Sequence, residues 1–148
     1  MNADSPEALE VRKLFEERVP PIASGVVTIR GIVREPGTRT ILAVASADPA
    51  TDAVGSCVGT RGAIVKDIVA HLRGERIDIV LWNDSPKQFL ASLLHPMRCG
   101  RISFDEASHH ATAVLCADSE LASSKTVALR SRLFRDLTGW VLQFEMQS

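Results

Sequence analysis

Residues 52–72 read DAVGSCVGTRGAIVKDIVAHL, and the tetrad Gly59-Thr60-Arg61-Gly62 at their centre decides the architecture around it. After the tetrad, Ile64, Val65, Ile68, Val69 and Leu72 recur at helical spacing, and Gly74 is placed to stop that helix. Residues 52–58 form a shorter helical segment before it. The two glycines let the chain turn tightly and approach a ligand with no Cβ in the way. The second helix then presents free backbone N–H groups and the positive end of its dipole, a combination that suits phosphate oxygens. Arg61 adds a mobile cation in the middle of the turn. Glycine turns are common, so the tetrad alone is weak. Its place between two helices makes it strong.

Upstream, the β-branched residues 25–33 read as a strand, Glu35-Pro36-Gly37-Thr38 as a turn and residues 40–45 as the returning strand of a hairpin. Ser5-Pro6-Glu7 opens a helix carrying Leu9, Val11, Leu14 and Phe15. Ser5 caps it, Pro6 suits its first turn, and Pro20-Pro21 ends it. Downstream, residues 76–82 form a third strand. The order helix, strand, strand, helix, helix, strand then repeats. Ser85-Pro86 opens a helix with Phe89, Leu90, Leu93 and Leu94, and residues 99–104 and 111–116 flank a turn. Asp118 or Ser119 caps a short helix at Leu121. A longer helix runs through Val127, Leu129, Leu133, Phe134 and Leu137 to Gly139, and residues 140–145 form the last strand. The expectation is an α+β chain of two like units, 1–83 and 84–148, each a three-stranded sheet packed against helices.

Composition narrows the function. Of 148 residues 45% are hydrophobic and 24% charged, which excludes intrinsic disorder. Lys and Arg number 17 against 18 Asp and Glu, so the net charge of −1 gives no bulk-charge coat for nucleic acid or an anionic membrane. Any nucleic-acid contact must be local. No apolar run approaches the ~18 residues that span a bilayer, and the charged N-terminus has no apolar signal core, so a cytoplasmic protein is expected. Cys57, Cys99 and Cys116 are far apart and form no CxxC pair, and the histidines do not share ligand spacing with them. No metal and no cofactor are expected. There is no acid/base pair, nucleophile constellation or GxxxxGKS loop, so an enzyme is not expected.

With these residues in place, the chain resembles the tandem type II (prokaryotic) KH domains of the NusA family of bacterial transcription termination/antitermination factors. The stretches LFEERVPPIASGVVTIRGIVREPGTRT, VGSCVGTRGAIVKDIV and LRGERIDIVLW are similar to that family's first KH domain. Asn83-Asp84-Ser85-Pro86-Lys87-Gln88-Phe89 is similar to its link into a second KH domain, and Leu137-Thr138-Gly139-Trp140 to the end of that domain. The resemblance implies non-catalytic binding of single-stranded RNA in transcription elongation, termination or antitermination. It implies phosphate contacts at Gly59, Thr60, Arg61 and Gly62, with Lys66 one turn further on, because a KH loop clamps about four backbone nucleotides. The transcription machinery is implied as an indirect partner, and a DNA duplex is not.

Two departures qualify the resemblance. Ser124-Lys125-Thr126-Val127-Ala128 holds no glycine where the second unit should carry its own tetrad, and β-branched Thr126 and Val127 resist a positive φ. A degenerate loop near 124–128 is expected, with weak RNA contact from Lys125 or Arg130 at most. The family's N-terminal polymerase-binding and OB-fold domains have no room in this chain, so direct polymerase contact is not implied. The rival expectation is a KH-fold protein-interaction or scaffold module with weak or lost RNA affinity. Trp82 and Trp140 read as packing residues before stacking platforms, and Arg132 and Arg135 as a solvated helix face.

Overall fold

The computed structural model describes residues 5–95, 99–116 and 124–146, and the chain divides into two compact units, 1–82 and 83–148. In the first unit Ser5 Oγ accepts the Ala8 N–H at 3.2 Å and opens α1 (Pro6–Arg18). The helix buries Ala8, Val11, Leu14 and Phe15, one stripe at 3.6-residue spacing. Beyond Val19, Pro20 opens a further five-residue helix, α2 (Pro20–Ser24), where the sequence reading had only a stop. Proline lacks the N–H needed to continue α1, yet its fixed φ suits a new first turn.

Strands β1 (Val27–Glu35) and β2 (Arg39–Ser46) pair antiparallel from Glu35 opposite Arg39, with a bulge between Ile29 and Gly31. Next come α3 (Ala53–Val58), a 3-10 turn at Thr60–Gly62, α4 (Ala63–His71) and β3 (Arg76–Leu81). The helical crossover carries the chain back across the sheet, so β3 lies parallel to β2, Arg39 opposite Arg76, giving the order β1-β2-β3. Val27, Ile29, Ile32, Leu42 and Val44 meet the α1 stripe, Ala53, Cys57, Ile68 and Leu72 in one core.

The second unit repeats the plan. Ser85 caps α5 (Pro86–Leu94), which buries Phe89, Leu90, Leu93 and Leu94. Strands β4 (Cys99–Asp105) and β5 (His110–Leu115) pair antiparallel, and β6 (Val141–Met146) runs parallel to β5 after α6 (Ser124–Thr138). The Phe89 and Phe134 rings pack at 6.1 Å between α5 and α6. Trp140 is buried against the edge of Phe104, centroids 5.8 Å apart, and the His109 ring lies 5.2 Å from it. The short helix expected at Leu121 lies outside the described residues.

One expectation is corrected here. Residues 124–128 are not a loop but the first turns of α6. Counted back equally from the helix-stopping Gly74 and Gly139, Gly59–Gly62 correspond to Ser124–Val127. Without glycine nothing in that stretch favours a left-handed turn, and Ala128 and Leu129 favour a helix. The helix therefore extends across the place where the first unit turns.

Candidate nucleic-acid interface

Asp52 opens α3 by accepting the Gly55 N–H at 3.0 Å, and the Gly59 N–H donates to Gly55 O at 2.9 Å to close it. Gly59 has φ 81° and ψ 169°, a backbone state that only glycine occupies without strain. A Cβ there would lie 2.7 Å from Ile64 Cγ1 and 2.9 Å from Ile64 N, so the two helices meet at this residue. Gly62, at φ 75° and ψ 16°, is left-handed too, but a Cβ on it would meet only Lys66 Cε at 3.6 Å. Arg61 holds φ 55° and ψ 27° with a full side chain, a state that costs a non-glycine residue ~1 kcal/mol.

These angles raise Thr60 and Arg61 into solvent as the tip of the turn, both exposed. No side chain caps α4, whose N-cap is Gly62. Lys66 is exposed one turn along, its stem leaning toward Gly62. Thus the turn gathers an uncapped helix N-terminus, one hydroxyl and two cations, all suited to an anionic backbone. Beside it lies an apolar strip. Ile64, Ile77 and Ile79 are half-buried against the core. Leu81 continues the alternation of Ile77 and Ile79 and is 47% exposed. Since α4 returns to β3 through a short connection, its N-terminal end lies toward the Leu81 end of the strand.

Of the other residues named from sequence, Lys125 has its backbone in the first turn of α6. Arg130 is corrected: it is 1% exposed, and its Nε donates to Leu93 O at 2.8 Å, so it serves the interior of the second unit, not a phosphate. Its place in α6 aims it at α5, which a charge count along the sequence does not register. Trp140 is interior, as its packing on Phe104 shows. Trp82 is half-buried beneath the Arg30 guanidinium, 4.5 Å from its ring centroid. Cys57 on α3 is fully buried, and burial together with the nearby Asp52 charge pushes its thiol up to about 11. Asp67 on α4 pairs at the surface with Arg18 of α1 at 2.5 Å.

A buried charged group at the far end of α4 escaped the sequence reading. Glu75, 1% exposed, accepts from Arg34 Nε at 3.0 Å, Arg34 Nη2 at 2.9 Å, Gly37 N–H at 2.9 Å and Thr40 Oγ1 at 2.5 Å. Arg34 reaches on to Glu7 O at 2.8 Å and Glu10 Oε1 at 2.6 Å on α1. Burial pushes the Glu75 carboxyl up, but the bonds from Arg34, Thr40 and Gly37 outweigh it and hold the group below the usual carboxylate range. This network joins α1, the β1–β2 turn and the start of β3. It fixes the frame on which α4 carries the glycine turn. The only cue in the sequence was a glutamate directly after the helix-stopping Gly74 and before an apolar strand.

A β-hairpin, two helices joined by a glycine tetrad and a parallel third strand define a KH-type unit. Residues 5–82 match the family described as "NusA-like first KH domain", and the chain belongs to that family. The chain is 36% identical over 132 residues to the transcription termination/antitermination protein NusA of Thermus thermophilus, covering 89% of this chain and 34% of that protein. NusA of Bacillus subtilis is 38% identical over 141 residues, 93% of this chain and 37% of the relative. NusA of Rickettsia conorii is 38% identical over 131 residues, 86% of this chain and 26% of the relative. The chain therefore spans between 26% and 37% of these relatives' length. In fold it is also similar to the crystal structure of APE1850, with a TM-score of 0.64, 17% identity and coverage of 97% of this chain and 100% of that one.

Proposed function

We propose that this chain is a tandem pair of KH domains that binds single-stranded RNA, without catalysis, in transcription termination and antitermination. The observation that carries the reading is the turn at 59–62. It lies within the span matched to the NusA-like first KH domain, and its left-handed backbone presents Thr60, Arg61 and the uncapped start of α4 to solvent. Backbone phosphates lie against Gly59, Thr60, Arg61 and Gly62, and Lys66 meets the next phosphate. Unpaired bases rest on the strip that ends at Leu81. An A-form duplex, with its bases already paired and stacked, has no access to that strip.

The second unit adds little affinity, since the positions corresponding to the tetrad are helical. Few cations reach the backbone, so a titration of an unstructured oligonucleotide across a salt series should give a log–log slope of only about −1 to −3. The same oligonucleotide annealed to its complement should bind far more weakly. Equal affinity for strand and duplex with a slope beyond about −5 would mean general electrostatic adhesion and end the proposal.

A further inference from the structure

In the second unit a groove of about 280 Å³ opens between α6 and β6, lined by Ala128, Ser131, Arg132, Arg135, Val141 and Leu142. Ala128, Val141 and Leu142 supply its apolar lining, and Val141 is 41% exposed. Ser131 Oγ donates to Leu142 O at 3.2 Å, which pins helix to strand and occupies the hydroxyl. Arg132 and Arg135 are exposed and three residues apart, hence neighbours on one side of the helix. No carboxylate lines the groove.

We propose that this groove docks an acidic peptide segment of a partner protein, an apolar side chain filling the groove and carboxylates pairing with Arg132 and Arg135. Charge complementarity is the first argument. Two guanidinium forks beside an apolar floor match carboxylates bidentately. Size is the second: the volume falls just under the ~300 Å³ at which small-molecule pockets begin, room for one large side chain. The third is what this unit lacks. Its α6 runs unbroken through Ser124–Val127, so the described residues at the positions of the first unit's glycine turn offer no left-handed turn against which a phosphate could lie. The first unit does not offer the same surface. By the same count Arg132 corresponds to Asp67, an acid already paired with Arg18.

The test uses the full 148-residue chain and a fluorescein-labelled peptide alternating glutamate with leucine and phenylalanine, followed by anisotropy. Its controls are the peptide with lysine for glutamate and an unlabelled single-stranded RNA. The acidic peptide should bind saturably and shift amide resonances between residues 128 and 142 of the unsubstituted protein. Arg132→Glu with Arg135→Glu should weaken it at least tenfold at unchanged far-UV circular dichroism, whereas Thr60→Asp with Arg61→Asp should leave it unchanged. No saturable binding, equal binding of the lysine peptide, or insensitivity to the double arginine substitution overturns the proposal. So does displacement of the peptide by RNA, which would make the groove a nucleic-acid surface. RNA affinity of the tetrad variant is read separately, so failure of the docking site leaves the reading of the glycine turn standing.

Discussion

The two units close the same backbone junction with opposite chemistry. In the first, Arg34 and Thr40 face each other across β1 and β2, and Glu75 descends from the end of α4 between them. In the second, Phe104 and Ala111 hold the equivalent pair on β4 and β5, and Trp140, at the position of Glu75, packs edge-on against Phe104. The preceding helices follow suit. Glu7 and Glu10 of α1 receive the Arg34 guanidinium, while the Lys87 ammonium of α5 lies 5.4 Å from the Phe104 ring centroid. A closed charged network and an aromatic pair thus do one structural job. A buried ion pair commonly breaks even against well-packed apolar groups, whereas half of such a pair is strongly destabilising. The junction can therefore change only as a set, and the glycine turn at the other end of the helix can be kept or lost independently of it.

The largest expected effect breaks that set. Glu75→Ala removes the acceptor shared by Arg34, Gly37 N–H and Thr40, leaving Arg34 only its bonds to Glu7 O and Glu10, and should cost the first unit about 3 kcal/mol in urea denaturation. Arg34→Phe, Thr40→Ala and Glu75→Trp together import the second unit's solution and should recover most of that loss. A triple variant less stable than Glu75→Ala alone would show that the two junctions are not interchangeable.

Acid should expose the same difference. The folded pKa of Glu75 lies below its unfolded one, so its contribution is complete above the unfolded carboxylate range and is lost as pH falls through the folded pKa. The first unit should weaken on acidification over that interval, and Glu75→Gln should flatten the dependence. Unfolding curves from pH 7 downward, read by amide resonances of each unit, test this. An unchanged pH profile in Glu75→Gln would remove the carboxylate from the explanation.

At the tetrad the contrast concerns binding. Thr60→Asp with Arg61→Asp places two anions against phosphates and should weaken single-stranded RNA binding by ~10- to 100-fold, the loss of one or two charge-assisted contacts. Lys125→Asp with Thr126→Asp, at the corresponding helical positions, should change affinity by less than about threefold. Comparable losses in the two variants would mean that both units hold RNA.

Within the tetrad itself, stability ranks the two glycines. Gly59→Ala meets both a forbidden backbone state and Ile64, and should cost ~3 kcal/mol. Gly62→Ala meets only the left-handed penalty, ~1 kcal/mol. Equal costs would mean that the approach of α4 to Gly59 relaxes.

Much of this was legible beforehand. Apolar periodicity, the Ser-Pro helix starts and the Pro-Gly turn placed most of the elements, because each depends on neighbours in sequence. The tetrad was legible for the same reason. What escaped depends on distant residues. Glu75 bonds to residues 35 to 41 positions away, and its burial follows from Arg34 being across the sheet. Arg130 read as a weak RNA contact at most, because the sequence does not show that α5 supplies Leu93 O to its guanidinium. Pro20 was read as an end because one residue both stops α1 and starts α2. The α6 extension was half legible, since the missing glycine foretold a lost turn but not what would replace it.

Cys57 has a chemical consequence for the glycine turn it supports. With its thiol pushed up to about 11, only ~1 in 10⁴ molecules carries the thiolate at neutral pH, and the thiolate is the species that oxidants and alkylating agents attack. The Asp52 that caps α3 also contributes to that suppression. The helix leading into the turn is therefore held against peroxide and mixed-disulfide chemistry, and of the two cysteines whose side chains are described, the partly exposed Cys116 in the other unit is the one an oxidant reaches first.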